Sequence, residues 1–162
     1  MDVYFFYKKL VRHYLYILKV VFLTLFLFIS NTPLAQTVVT VKDGNSSAVC
    51  LPVELASGFT YSQQIYLQSE IDKEGEIQAI SFEYDGFANI PYLATENWDI
   101  YLGHVTKSSF SGASDWVSVD GMTQVYSGDV TTPGFAGFFT VNFTENFNYN
   151  NNDNLIIAIV KT

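Results

Sequence analysis

Cysteine occurs once in this 162-residue chain, at Cys50. A single thiol excludes an internal disulfide and any cysteine-based metal cluster. Its flanks, Val49 and Leu51, favour burial as a small hydrophobe. Histidine is almost as scarce, with His13 and His104. A serine hydrolase would need an imidazole, a hydroxyl and an orienting acid together. His104 lies near Ser108, Ser109, Ser111 and Asp99 in the sequence, yet nothing like a nucleophile elbow surrounds those serines. The reading is a hydrogen-bonded structural histidine and no catalytic residues. Basic residues are the third shortage. Lys8, Lys9, Arg12 and Lys19 are half of the eight. Beyond residue 35 four basic residues face fifteen acids, a net charge of −11. Such a domain repels phosphate backbones, so nucleic acid is excluded as a partner. Past the same point no amphipathic helical window occurs.

What is present begins with an export pattern. A basic, aromatic segment fills residues 1–19. The uncharged run VVFLTLFLFI follows from Val20 to Ile29, then SNTPLAQ with small Ala35 before Gln36. Basic, apolar and small-residue exit is the order of a secretory signal peptide. Ten residues of helix rise only about 15 Å, short of a ~30 Å hydrocarbon core. Residues 1–35 are therefore read as a signal peptide, helical over about 8–30, with a retained N-terminal membrane anchor as the alternative. The mature chain is expected to begin at Gln36, to reach the cell surface or medium, and to meet the membrane only through that segment during export.

Over the whole chain 49% of residues are hydrophobic and 17% aromatic, enough for one substantial core. Thr37–Lys42 is β-branched and reads as a first strand. Asp43–Ser47 is turn chemistry. Ala48–Leu55 is apolar but broken by Pro52, so an edge strand or an extended connection is expected. Thr60–Gly86 reads as a hairpin, two strands around the acidic turn Asp72–Glu76 with Gly75. Phe87–Asn97 reads as a loop. Trp98–Val105 places Trp98, Ile100, Leu102 and His104 on one parity. A long connection follows, with Trp116 as a local aromatic pin. Met122–Val130 and Phe138–Phe147 are strands. Asn154–Val160 is apolar on both parities, so a strand covered on both faces is expected. Seven or eight short strands with turns between them predict an all-β fold, a two-sheet antiparallel β-sandwich of jelly-roll or immunoglobulin-like type over residues 36–162.

YSQQIYLQSEI, IQAISFEYDG, NWDIYLGHVTKSSF, DWVSVDGMTQVYSGDV and NFNYNNNDNLIIAIV, taken together, resemble a β-sandwich module of secreted Bacteroidota proteins. The resemblance runs from about residue 60 to the end. It implies a module lying early in a longer type IX secretion cargo, ahead of fibronectin-type, adhesin-like or peptidase-associated domains. This chain is accordingly expected to be the N-terminal part of a longer protein. No settled activity comes with the resemblance.

Two ligand chemistries remain. Glu70, Asp72, Glu74 and Glu76 alternate through the predicted turn, and oxygen donors suit calcium. Their spacing lacks the D-x-[DN]-x-[DN]-G loop, so a solvated acidic turn is the plainer reading, with no cofactor required. Tyr61, Tyr66, Tyr84, Tyr92, Tyr101 and Trp116 offer rings that stack on sugars. Ordinary sandwich filling accounts for most of them, and Tyr92 in its loop is the one expected to be exposed. The function predicted is a non-catalytic extracellular module for adhesion or for carbohydrate or protein binding. The alternative is an accessory domain of a secreted peptidase or glycoside hydrolase whose catalytic part lies elsewhere.

Overall fold

The computed structural model describes residues 12–22, 36–41, 51–84 and 95–162. It divides the chain into two units, Met1–Val38 and Val39–Thr162. In the first unit residues 12–22 are helical (α1) and exposed throughout. Among the described residues no helix is long and apolar enough to cross a membrane. Most of the apolar run from Val20 to Ile29 lies outside the described residues, as do Cys50 and Tyr92.

The second unit is a β-sandwich. Its elements are β1 (Thr60–Tyr66), α2 (Gln68–Ile71), β2 (Gly75–Tyr84), β3 (Thr95–Val105), β4 (Thr123–Thr131), β5 (Gly137–Tyr149) and β6 (Asn154–Lys161). Four strands form sheet A in the order β1-β6-β3-β4, and β2 and β5 form sheet B. Every pairing is antiparallel. Among the described strands, each connection passes from one sheet to the other or back, except β3 to β4. The described strands thus form a two-sheet antiparallel sandwich of six strands, four in one sheet and two in the other. The two-sheet expectation is met.

The inner face of sheet A follows from register. Trp98, Ile100 and Leu102 of β3 stand opposite Lys161, Ile159 and Ile157 of β6. These apolar side chains join Phe82, Val125, Val141 and Phe147 in one buried core. Phe82 and Phe139 of sheet B meet Trp98 edge-on, at 6.2 and 6.1 Å between ring centres, an edge-to-face geometry that ring quadrupoles favour. At β4, Val125 is an extra residue between the pairs Ile100–Tyr126 and Tyr101–Gln124. The bulge buries Val125 completely while Tyr126 also touches the core. Thr144, in the matching irregularity of β5, donates its hydroxyl to the Val125 carbonyl at 3.1 Å and ties the sheets together.

Sheet B is two strands narrower than sheet A, and the segment before β1 helps cover the inner face beside β1. Val53 is buried in the core and Leu55 packs on it. Ser62 donates to the Pro52 carbonyl, and Thr60 donates to the Glu54 carbonyl at 3.3 Å. The end of β6 is closed by Lys161, 1% exposed. Its ammonium donates to the carbonyls of Leu55 and Ser57 and sits 2.9 Å from the Glu96 carboxylate. All three donors are engaged, the condition for keeping a lysine charge in an interior.

Three local expectations are corrected. Residues 37–41 form no strand and are mostly exposed. β3 starts at Thr95, inside the stretch read as a loop. The Thr60–Gly86 hairpin does not form: β1 pairs with β6, and β2 pairs with β5. Between them α2 turns the chain. Glu70 accepts the Leu67 N–H at 2.8 Å, Asn154 accepts the Gln68 N–H at 2.7 Å, and Asp72 closes the turn at φ 44°. Ile71 and Ile77 pack against the core on either side of this crossing. Burying both apolar sets in one interior between two sheets outweighs pairing adjacent strands.

Candidate functional site

The outer face of sheet A has two halves. Gly103, Ile156, Ile65, Ala158 and Gln63 lie along one half by register. The connection 106–122 folds back over it. Gln63 binds this connection in both directions: its amide donates to the Val117 carbonyl at 2.6 Å and accepts the Val117 N–H at 2.9 Å. Met122 lies so close to Gly103 that a β-carbon there would fall 2.9 Å from its Cγ. Ile156 and Ala158 are consequently buried on this face too. β6 is thus covered on both sides, as its uninterrupted apolar run predicts.

The other half stays open to solvent. Tyr61 stands opposite Val160, which stands opposite Asp99, and Ala158 separates Gln63 from Tyr101 in the next row. Trp116 leans over from the folded-back connection, its ring centre 4.9 Å from that of Tyr61 and tilted by 39°. Tyr61 and Tyr101 are partly buried and Trp116 is 51% exposed. Polar groups frame the rings. The Gln63 amide donates to the Tyr61 hydroxyl at 2.7 Å. Gln124 donates to Asp99 at 3.0 Å and to the Tyr101 hydroxyl at 3.3 Å. Burial raises the pKa of both phenols above 10.0, helped for Tyr101 by the Asp99 charge. Each remains a neutral donor and acceptor well into alkaline solution.

Trp116 is held by both its chain neighbours. Val117 is bonded to Gln63 as described. Asp115 accepts Lys107, the Ser111 N–H at 2.8 Å and the Ser111 hydroxyl at 2.8 Å. The Lys107 and Ser111 hydrogen bonds hold the Asp115 carboxyl at about 2, below its ordinary 3.8. Lys107 also lies over the Phe110 ring at 5.7 Å. A half-exposed indole fixed in this way loses little further freedom when a ligand stacks on it.

The other candidates fall elsewhere. Glu70 caps α2, Asp72 sits at its C-terminal end, and Glu74 and Glu76 are exposed before and within β2. Glu76 accepts the Gln78 amide at 3.1 Å. Among the described residues no three histidine, cysteine, aspartate or glutamate side chains are grouped to hold a metal ion. His104 stacks on Tyr149, 5.8 Å between ring centres, and meets the tilted Phe147 ring at 4.9 Å. Its Nε2 accepts the Asn150 N–H at 3.2 Å, which places the neutral ring's proton on Nδ1. Ser111 is bonded to Asp115, not to His104. Tyr66 packs on the core. A cleft of about 240 Å³ opens between β4 and β5, lined by Tyr126, Asp129, Thr131, Phe139, Thr140 and Asn142. Its hydroxyls are spoken for: Thr140 pairs with Ser81, Thr131 with Thr95, and Tyr126 donates to the Asp129 carbonyl. The outer-face aromatic group is the stronger site.

Sequence reasoning named these rings but missed Gln63, Gln124, Asp99 and Lys107 as their framework. A same-parity Tyr61–Gln63 pair on a strand was the available signal for the first. No protein-family profile, curated protein or solved structure matches the chain.

Proposed function

We propose that this chain is a non-catalytic extracellular module that binds carbohydrate through the open half of sheet A's outer face. The observation that carries this reading is Trp116: half-exposed, stacked on Tyr61, and fixed by the hydrogen bonds of Asp115 and Val117. Nothing in the core requires an indole there. Aromatic faces pack on the C–H faces of sugars, while flanking amides, phenols and carboxylates take the hydroxyls. The basic–apolar–small order of residues 1–35 supports export, and the resemblance to secreted Bacteroidota modules supports a place within a longer surface protein.

A glycan array probed with the full chain tests the reading. Binding to at least one polysaccharide is expected, lost about tenfold or more in Trp116→Ala, which corresponds to ~1.4 kcal/mol or more. Retained binding in that variant would remove the site assignment.

A further inference from the structure

The charges around the aromatic group narrow the ligand class. Asp99 stands on the open face itself, and Asp129 shares its parity along the paired strand β4. Asp115 lies beside Trp116, but its charge is already matched by Lys107, so Asp99 carries the argument. The described residues beyond 35 include three lysines, and none is free to face the site. Lys107 is bonded to Asp115. Lys161 is buried on the opposite face against Glu96. Lys73 lies past α2, beyond the Tyr66 end of β1 and so at the far end from Tyr61.

We infer that the ligand is an uncharged glycan chain, with Asp99 accepting hydrogen bonds from its hydroxyls and with acidic glycans turned away. This inference rests on the carbohydrate-binding reading above. A uronate or sulfate placed on the rings would lose water and meet the Asp99 carboxylate, with no lysine of the described residues placed to offset it. A neutral pyranose meets no such penalty. Its hydroxyls find the Asp99 carboxylate, which has given only one of its acceptor positions to Gln124. They also find the Tyr61 and Tyr101 hydroxyls. The rings take its apolar face. Because no ion pair forms, binding should barely respond to salt, unlike recognition of a polyanion.

Native affinity electrophoresis of the full chain separates the possibilities. The gels carry either neutral polysaccharides (galactomannan, xyloglucan, mixed-linkage β-glucan) or anionic ones (polygalacturonate, alginate, heparin), each at low and high salt. The expected result is retardation by at least one neutral polymer, unchanged by salt, and none by the anionic set. Asp99→Ala should weaken that retardation about fivefold to tenfold. Trp116→Phe should keep most of it and Trp116→Ala should abolish it, with thermal melts confirming that each variant is folded. Retardation by an anionic polymer that Trp116→Ala abolishes would overturn the charge inference and leave the aromatic site standing. No retardation in any gel would overturn both.

Discussion

The two faces of sheet A are built from the same strands by different means. The inner face is closed by area: Trp98, Ile100, Leu102, Ile157 and Ile159 meet sheet B and the segment around Val53. The outer face is closed by a few directed bonds, chiefly Gln63 to Val117 and Lys107 to Asp115, which roof half of it and leave the aromatic half bare. Folding free energy is therefore concentrated on one side of the sheet, and the proposed recognition falls on the other. A mutation should reveal which side it touches by which property it changes.

The largest stability loss is expected on the inner face. Lys161→Ala leaves two carbonyls and a largely buried carboxylate without their cation, and should cost about 3–5 kcal/mol. Ile159→Ala opens a cavity in the core and should cost about 2–5 kcal/mol. Urea unfolding of the full chain reads both. Gln63→Leu sits at the divide. It strips two partners from the Val117 backbone, about 1–3 kcal/mol, and frees Trp116, so stability and glycan binding should fall together. His104→Ala removes the acceptor of the Asn150 N–H and should cost about 1 kcal/mol, with hydrogen exchange rising in the Asn148–Asp153 turn. Trp116→Ala should change stability by less than about 0.5 kcal/mol, as exposed substitutions do, while abolishing binding. A large loss of stability in Trp116→Ala would erase the division between the faces.

Acid sharpens the comparison further. The Asp115 carboxyl is depressed in the folded protein, so the Lys107–Asp115 contact stabilises above pH 3.8 and is lost as pH falls towards about 2. Trp116 fluorescence should hold steady from neutral pH to about 4 and change only below that. Release near neutral pH would contradict the clasp.

The inner face was largely legible in the sequence. Parity alone placed Trp98, Ile100 and Leu102 together, and the unbroken apolar run of β6 signalled burial on both sides. The Thr60–Gly86 hairpin was misread because alternation marks a strand without naming its partner. Ile65, Leu67 and Ile71 share a parity, yet α2 intervenes and sends the two strands to different sheets. The outer face was less legible still. Tyr61, Tyr101 and Trp116 were visible as rings, but which of them would meet solvent depends on a connection 54 residues from Gln63 folding back to it. Lys161 gave no local sign of burial, since its partners Leu55, Ser57 and Glu96 lie 106, 104 and 65 residues away.

That inward lysine has a practical corollary. A side chain only 1% exposed is out of reach of an acylating reagent, so Lys161 should stay unlabelled while the exposed Lys73 reacts. Its modification, followed by mass spectrometry, would serve as a built-in reporter of when the sandwich opens.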